Sequence, residues 1–300
     1  MGNVSGLFYI IAACAFWALD TLIRYPLLGR NIDAISIVFY EHLILTIVFS
    51  VVFFKSVKTI WNAKTSHYFY FFILGAVGSA WATIAFTQAF VYLNPSLVIL
   101  LQKFQPVFAI ILARIVLKEQ IKNTFIFWAL ICLVGALLIS YNDLRVLLTS
   151  NTDIIFNSTA FKGYVLVFFS VLGWGATTVF GKKLAKEGYS NEQIMSGRFL
   201  MGLLAIIPFM ASRNTLFTHS INVYGKISLM VLVSGILAMY LYYQGLRKIS
   251  ARAATLAEMF FPFMAILVNW VFLQKSLEVV QLVGGGVLIA GSLVIQLKKY

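Results

Sequence analysis

Residues 105–119 read QPVFAIILARIVLKE, and residues 261–275, 156 positions further on, read FPFMAILVNWVFLQK. Each is an apolar run with one proline near its start. The same offset lays Gln88 on Gln244 and Gly135 on Gly291 without a gap, and one residue more lays Trp17 on Trp174 and Glu41 on Arg198. One unit is written twice. A helix needs about 20 apolar residues to cross about 30 Å of hydrocarbon. Segments that meet this lie at 5–24, 34–54, 68–92, 96–117 and 123–141, and again at 162–181, 192–211, 225–245, 253–272 and 279–297. Barrel strands are excluded, since they need about ten residues of alternating polarity. Five spans per copy is an odd number, so the copies enter the membrane in opposite directions. The expected fold is an all-α integral membrane protein of ten transmembrane helices, built as two inverted-topology five-helix repeats, 1–141 and 162–300, joined by an external linker, 142–161.

Composition agrees with lipid surroundings: 61% of residues are hydrophobic and 11% charged, against about 25% charged in soluble domains. The net charge of +13 is scattered between apolar runs and forms no basic face, which argues against nucleic acid as a partner. Cys14 and Cys132 lie in separate spans without ligand spacing, so no disulfide framework or metal site is readable. Met1 to Gly6 carries no Lys or Arg, and the first span is expected to be a retained helix, not a signal peptide. Fourteen Lys and Arg residues fall on the side of the termini and seven opposite, among them Arg24, Arg213 and Lys275. The positive-inside rule then puts both termini in the cytoplasm. Abundant Phe, Ile, Asn and Lys point to an AT-rich bacterial genome and so to a bacterial inner membrane.

Several short motifs recur in paired order: Phe16-Trp17 and Gly173-Trp174 in the opening helices, Gln105-Pro106-Val107-Phe108 followed by Leu117-Lys118-Glu119, and Phe261-Pro262-Phe263 in the second copy. With these the chain resembles the drug/metabolite transporter superfamily, in its EamA-like branch, over nearly its whole length. The resemblance implies solute transport by alternating access, with amino acids, organic cations and nucleotide-linked metabolites among the substrates. Two positions depart from the pattern. Gln274-Lys275 stands where the first copy has Lys118-Glu119, with Glu278 as a possible substitute, and Glu41-His42 stands where the family often has an arginine.

Ionisable groups inside a span cost at least about 2.5–3.5 kcal/mol each on insertion scales and need a reason. Glu41, Lys103, Arg198 and Glu258 are the deepest, with Asp20 and His42 nearby. At about 1.5 Å per residue, Glu41 and Lys103 share one depth and Arg198 and Glu258 another. Two ion-paired layers are expected, Glu41 with Lys103 and Arg198 with Glu258, serving either as gates and substrate contacts or as static pairs. Pro106 and Pro262 are expected hinges. Trp17, Trp81, Trp174, Tyr240 and Tyr243 are candidate walls for a solute. Gln88 and Gln244 are candidate hydrogen-bonding groups or helix bridges, and Gly284-Gly285-Gly286 with Gly291 suits close helix packing. No nucleophile with a base, cofactor motif or ATPase motif is present, so the expectation is a carrier and not an enzyme, with no cofactor. Its partners are a small-molecule solute, the lipid bilayer and a coupling or exchanged ion or solute. An amino acid or similar zwitterion suits opposed charges beside aromatics. The alternatives are an organic cation, a nucleoside-bearing metabolite such as S-adenosylmethionine, or a membrane scaffold or lipid-handling protein.

Overall fold

A computed structural model describes residues 2–30, 32–93, 95–149, 158–211, 218–274 and 278–298. Among these every regular element is helical. The first copy comprises α1 (Gly2–Leu28), α2 (Ala34–Val52), the short α3 (Phe54–Trp61), α4 (Thr65–Tyr92), α5 (halves Pro95–Gln102 and Gln105–Val116) and α6 (Asn123–Ile139), followed by α7 (Tyr141–Thr149). The second comprises α8 (Ser158–Lys186), α9 (Asn191–Ala211), α10 (Ile221–Lys248), α11 (Ala251–Leu273) and α12 (Val279–Leu297). Nine of these are long and apolar enough to cross a membrane, and α6, at 17 residues, is a shorter apolar helix.

Most spans lie where hydropathy puts them, with ends that differ by a few residues. α1 runs four residues beyond its expected end at 24, because Tyr25 to Leu28 continue the helix through Pro26. α3 separates from α2 at Phe53. It carries Lys55 and Lys58, with Phe54 and Trp61 exposed, and so suits a membrane interface. The expected linker begins as helix α7; residues 150–157 lie outside the described residues, as do Arg213, Lys275 and Lys299.

The repeat is visible in the backbone. α4 and α10 each contain a π-helical stretch, Ile73–Trp81 and Val231–Ala238, at corresponding places. α5 and α11 each begin with an eight-residue half, Pro95–Gln102 and Ala251–Glu258, and break at Lys103–Phe104 and at Met259. The breaks precede Pro106 and Pro262 by about one turn, since each proline has no N–H for the carbonyl four residues back, that of Gln102 or Glu258. Lys118 and Gln274, at φ 55° and 52°, end the two broken helices in the left-handed conformation.

The copies interleave. α1 packs on α10 and α11, and α8 on α4 and α5, while α2 and α9 pack on each other and α9 also lies against α4. Contact is closest where side chains are absent. A Cβ on Gly75 would stand 2.3 Å from the Arg198 carbonyl oxygen, and one on Gly78 would stand 1.9 Å from the Thr177 methyl. α6 and α12 meet at Gly135 and Gly284, where a Cβ on Gly284 would lie 2.7 Å from the Gly135 oxygen. Such small-residue contacts bring backbones together where no hydrophobic effect separates helix from lipid.

At the terminal side, Glu119 accepts from the N–H groups of Ala251 (3.0 Å) and Arg252 (3.3 Å), adding a carboxylate to the Ser250 cap on Ala253 at the N-terminus of α11. Glu278 does not play this part for α5. It caps its own helix α12, in a reciprocal box with Gln281.

Candidate functional site

Among the described residues, three polar networks inside the bundle each join helices of both copies. In the first, Arg24 on α1 binds two carboxylates. Its Nε and Nη2 donate to Asp20 at 2.6 and 3.2 Å, and its Nη2 and Nη1 donate to Glu41 on α2 at 2.6 and 3.2 Å. Ser234, in the π stretch of α10, donates to Asp20 at 2.7 Å. The expected Glu41–Lys103 pair is not formed. Because α1 extends past residue 24, Arg24 is one turn from Asp20 inside the bundle and not in a loop, and it occupies both oxygens of Glu41. Lys103 is buried at the break in α5.

The second network follows from one donor count. His42 Nδ1 lies 2.8 Å from the Val38 carbonyl, which can only accept, so this nitrogen carries the proton. In the neutral imidazole Nε2 then accepts from the Ser79 hydroxyl (3.0 Å), and the Ser79 oxygen accepts from Arg198 Nε (3.2 Å). Arg198 Nη1 donates to Tyr243 at 3.3 Å. Arg198 is thus held by neutral groups of α4 and α10, and the expected Arg198–Glu258 ion pair is absent. The packing of α9 on α2 and α4 turns Arg198 toward Ser79.

The third network surrounds Glu258, at the end of the first half of α11. Gln105 Nε2 donates to Oε2 at 2.8 Å, while Oε1 lies 2.8 Å from both Thr178 Oγ1 on α8 and Tyr242 Oη on α10. The Cys14 thiol of α1 points at the Ala257 and Glu258 carbonyls, 3.8 Å from each, so the carbonyl released by Pro262 already has a neighbour. Trp17 packs on Tyr242 with ring centres 5.5 Å apart. Its repeat mate Trp174 lies one turn before Thr178 and packs on Phe86 at 4.8 Å. Glu258, Gln105, Trp17 and Trp174 all retain partial exposure although their contacts come from several helices.

Other expected site residues fall elsewhere. Trp81 donates to the Ala205 carbonyl at 3.3 Å and ties α4 to α9. Tyr240 is 41% exposed. Gln88 and Gln244 are half-buried outside the three networks. Residues not named as site candidates from the sequence carry much of the site: Arg24, Ser79, Ser234, Gln105, Thr178 and Tyr242. Arg24 had a signal in its i, i+4 spacing from Asp20, and Gln105 in the motif it opens before Pro106.

The comparisons with known proteins give the family. A model of the EamA-like transporter family matches residues 4–141 and again 161–297. The chain is 28% identical over 287 residues, 93% of each chain, to the riboflavin transporter ImpX of Fusobacterium nucleatum subsp. nucleatum. It is 22% identical to an uncharacterized transporter of Archaeoglobus fulgidus, over 95% of this chain and 96% of that one. A solved crystal structure superposes with a TM-score of 0.71 at 13% identity, covering 99% of this chain and 97% of that chain, a likeness of fold alone. These matches mark a transporter and not an enzyme, and the chain belongs to the EamA-like transporter family.

Proposed function

We propose that the protein carries a planar, polar heteroaromatic metabolite of the flavin kind across the membrane by alternating access, binding it at the Glu258 network. The observation that carries this reading is a carboxyl group held by neutral donors, Gln105, Thr178 and Tyr242, with Trp17 packed on Tyr242 and its repeat mate Trp174 one helical turn from Thr178. A flat heterocycle gains from stacking on such rings, about 0.5–1.5 kcal/mol per aromatic pair beyond burial. Its carbonyl, N–H and hydroxyl groups match amide and hydroxyl partners better than bare charges do. The likeness to a riboflavin transporter along almost the whole chain supports the same class. The breaks in α5 and α11 border the site, and the interleaved copies supply the two moving bodies of alternating access. The excess of Lys and Arg on the terminal side supports cytoplasmic termini in a bacterial inner membrane.

A second reading, an amino acid or similar zwitterion, is favoured by the separation of Arg198 from Glu258. Arg198 and the Glu258 carboxyl group are each engaged by neutral groups. Uptake of radiolabelled riboflavin and, separately, of an amino-acid panel into proteoliposomes decides between them. Saturable riboflavin uptake that falls severalfold in Trp17→Ala and Trp174→Ala supports the first. Saturable uptake of an amino acid alone selects the second, and uptake of neither overturns both. A reporter fused to the C-terminus that reads as external overturns the orientation.

A further inference from the structure

The three oxygens around the Glu258 carboxyl form a closed triangle: Thr178 Oγ1 to Glu258 Oε1 at 2.8 Å, Tyr242 Oη to Glu258 Oε1 at 2.8 Å, and Tyr242 Oη to Thr178 Oγ1 at 2.9 Å. All three sides are hydrogen-bond lengths for O–H···O contacts. Each side needs a proton, yet a threonine and a tyrosine supply one each. With Glu258 ionised, two protons serve three contacts, and one side brings two oxygen lone pairs together inside the membrane. With a third proton on Oε1 the ring closes. Thr178 donates to Oε1, Oε1–H donates to Tyr242, and Tyr242 donates back to Thr178, while Oε2, now a carbonyl oxygen, accepts from Gln105 (2.8 Å). Every donor then has an acceptor.

None of the three side chains bonded to the carboxyl is a base that takes this proton. The neighbouring helices present Cys14 from α1, Gln105 from α5, Thr178 from α8, and Tyr242 and Tyr243 from α10, while α12 carries no titratable residue between Val279 and Leu297. Arg198 of α9 is bonded to Ser79 and Tyr243, and Lys182 of α8 donates to the Leu246 and Arg247 carbonyls. Asp20 on α1 belongs to Arg24 and Ser234, Lys103 lies at the break in α5, and Arg252 sits at the opposite end of the half-helix by Glu119.

We propose that Glu258 is the site of a coupling proton, taken up from water on one side of the membrane and released to the other as the two copies exchange conformations. The proton binds the Glu258 carboxylate and forms the carboxylic acid of the ring. It leaves when α11, breaking at Met259, carries Glu258 away from Thr178 and Tyr242, which sit on two other helices. The carrier is thereby coupled to the proton gradient. The solute rests on the reading above, but the protonation does not.

The first test needs no solute. Infrared difference spectra of the purified, lipid-reconstituted protein at neutral pH are expected to show the carbonyl band of a protonated carboxylic acid. The band is expected to persist in Asp20→Asn and in Glu41→Gln, to vanish in Glu258→Gln, and to shift in Tyr242→Phe, which keeps the acid and removes its acceptor. A band equally present in Glu258→Gln, or none at all, overturns the proposal, as does a band unmoved in Tyr242→Phe. The second test measures riboflavin uptake with and without an imposed proton gradient. Wild type is expected to respond severalfold, and the ratio is expected to fall to unity in Glu258→Gln; an equal response in that variant overturns the coupling role. If riboflavin is not carried, the flavin reading fails and the infrared result alone decides on the proton.

Discussion

The two copies share a backbone and differ in their chemistry. Both have a π stretch in the third span, an eight-residue opening half in the fourth and a left-handed residue at its end. Side chains at matching positions diverge. Asp20, Arg24 and Glu41 in the first copy correspond to Thr177, Gly181 and Arg198 in the second, and Gln102 corresponds to Glu258. The first copy gathers two carboxylates on one guanidinium, whereas the second sets a lone arginine and a lone carboxyl among neutral partners. The π stretches and helix breaks are duplicated, and the buried polar groups are not. Movement in an inverted repeat needs the two halves to be interchangeable, while binding needs only one set of contacts.

The largest break in this comparison is expected at Arg24. Its loss leaves two buried carboxylates uncompensated, and Arg24→Met should cost about 3–5 kcal/mol, seen as a large fall in the unfolding temperature in detergent. Neutralising the acids as well, with Asp20→Asn and Glu41→Gln, should restore much of the loss. If Arg24→Met alone melts like wild type, the triad contributes nothing to the fold.

A smaller break lies in the π stretches. Gly75 in α4 corresponds to Val231 in α10, which is 3% exposed and accommodates its side chain. Gly75→Ala pushes a methyl against the backbone of α9 at Arg198 and Gly202 and should cost about 1–3 kcal/mol. Val231→Ala should cost less. Equal effects would show that the two stretches pack alike after all. Melting curves of the two variants measure this directly.

The same contrast explains how much could be read before the structure. Long apolar runs and an offset of 156 or 157 residues were enough for the apolar spans and the repeat, because membrane burial and duplication both write themselves in the order of residues. Buried charges at Glu41, Arg198 and Glu258 were visible because charge in a span is rare. Their partners were not. Pairing depends on how each helix is rotated, and depth along the axis says nothing about rotation, so Glu41 and Lys103 seemed matched although Arg24 takes both oxygens of Glu41. Ser79, Ser234, Thr178 and Gln105 are small or neutral groups that hardly alter hydropathy. They became candidates only once α4, α5, α8 and α10 were placed against α1, α9 and α11.

Helix capping sharpens the comparison on a smaller scale. Glu119, from the turn after α5, holds the first two N–H groups of α11. Glu119→Ala removes both acceptors and leaves Arg252 without its carboxylate neighbour at 3.7 Å; a loss of about 0.5–2 kcal/mol is expected. Glu119→Gln keeps an acceptor and should recover part of it. If both variants melt like wild type, water caps α11 as well as Glu119 does.

The smallest effect is expected on the terminal side, in the turn between α8 and α9. There Lys183 donates to Glu187 at 2.9 Å, and His67 Nε2 lies 3.9 Å away, its other nitrogen bonded to Tyr189 at 2.8 Å. The hydrogen bond from Lys183, with its charge, holds the Glu187 carboxyl below the usual carboxylate range. A carboxyl lowered in the folded state contributes stability that is present above its unfolded value and lost as pH falls through the folded one. The pair is about a third exposed, so solvent screens most of that contribution. Glu187→Gln should therefore melt slightly below wild type at neutral pH, and the difference should close on acidification through the carboxylate range. A difference that widens in acid would mean that Glu187 is held by something other than its cationic neighbours.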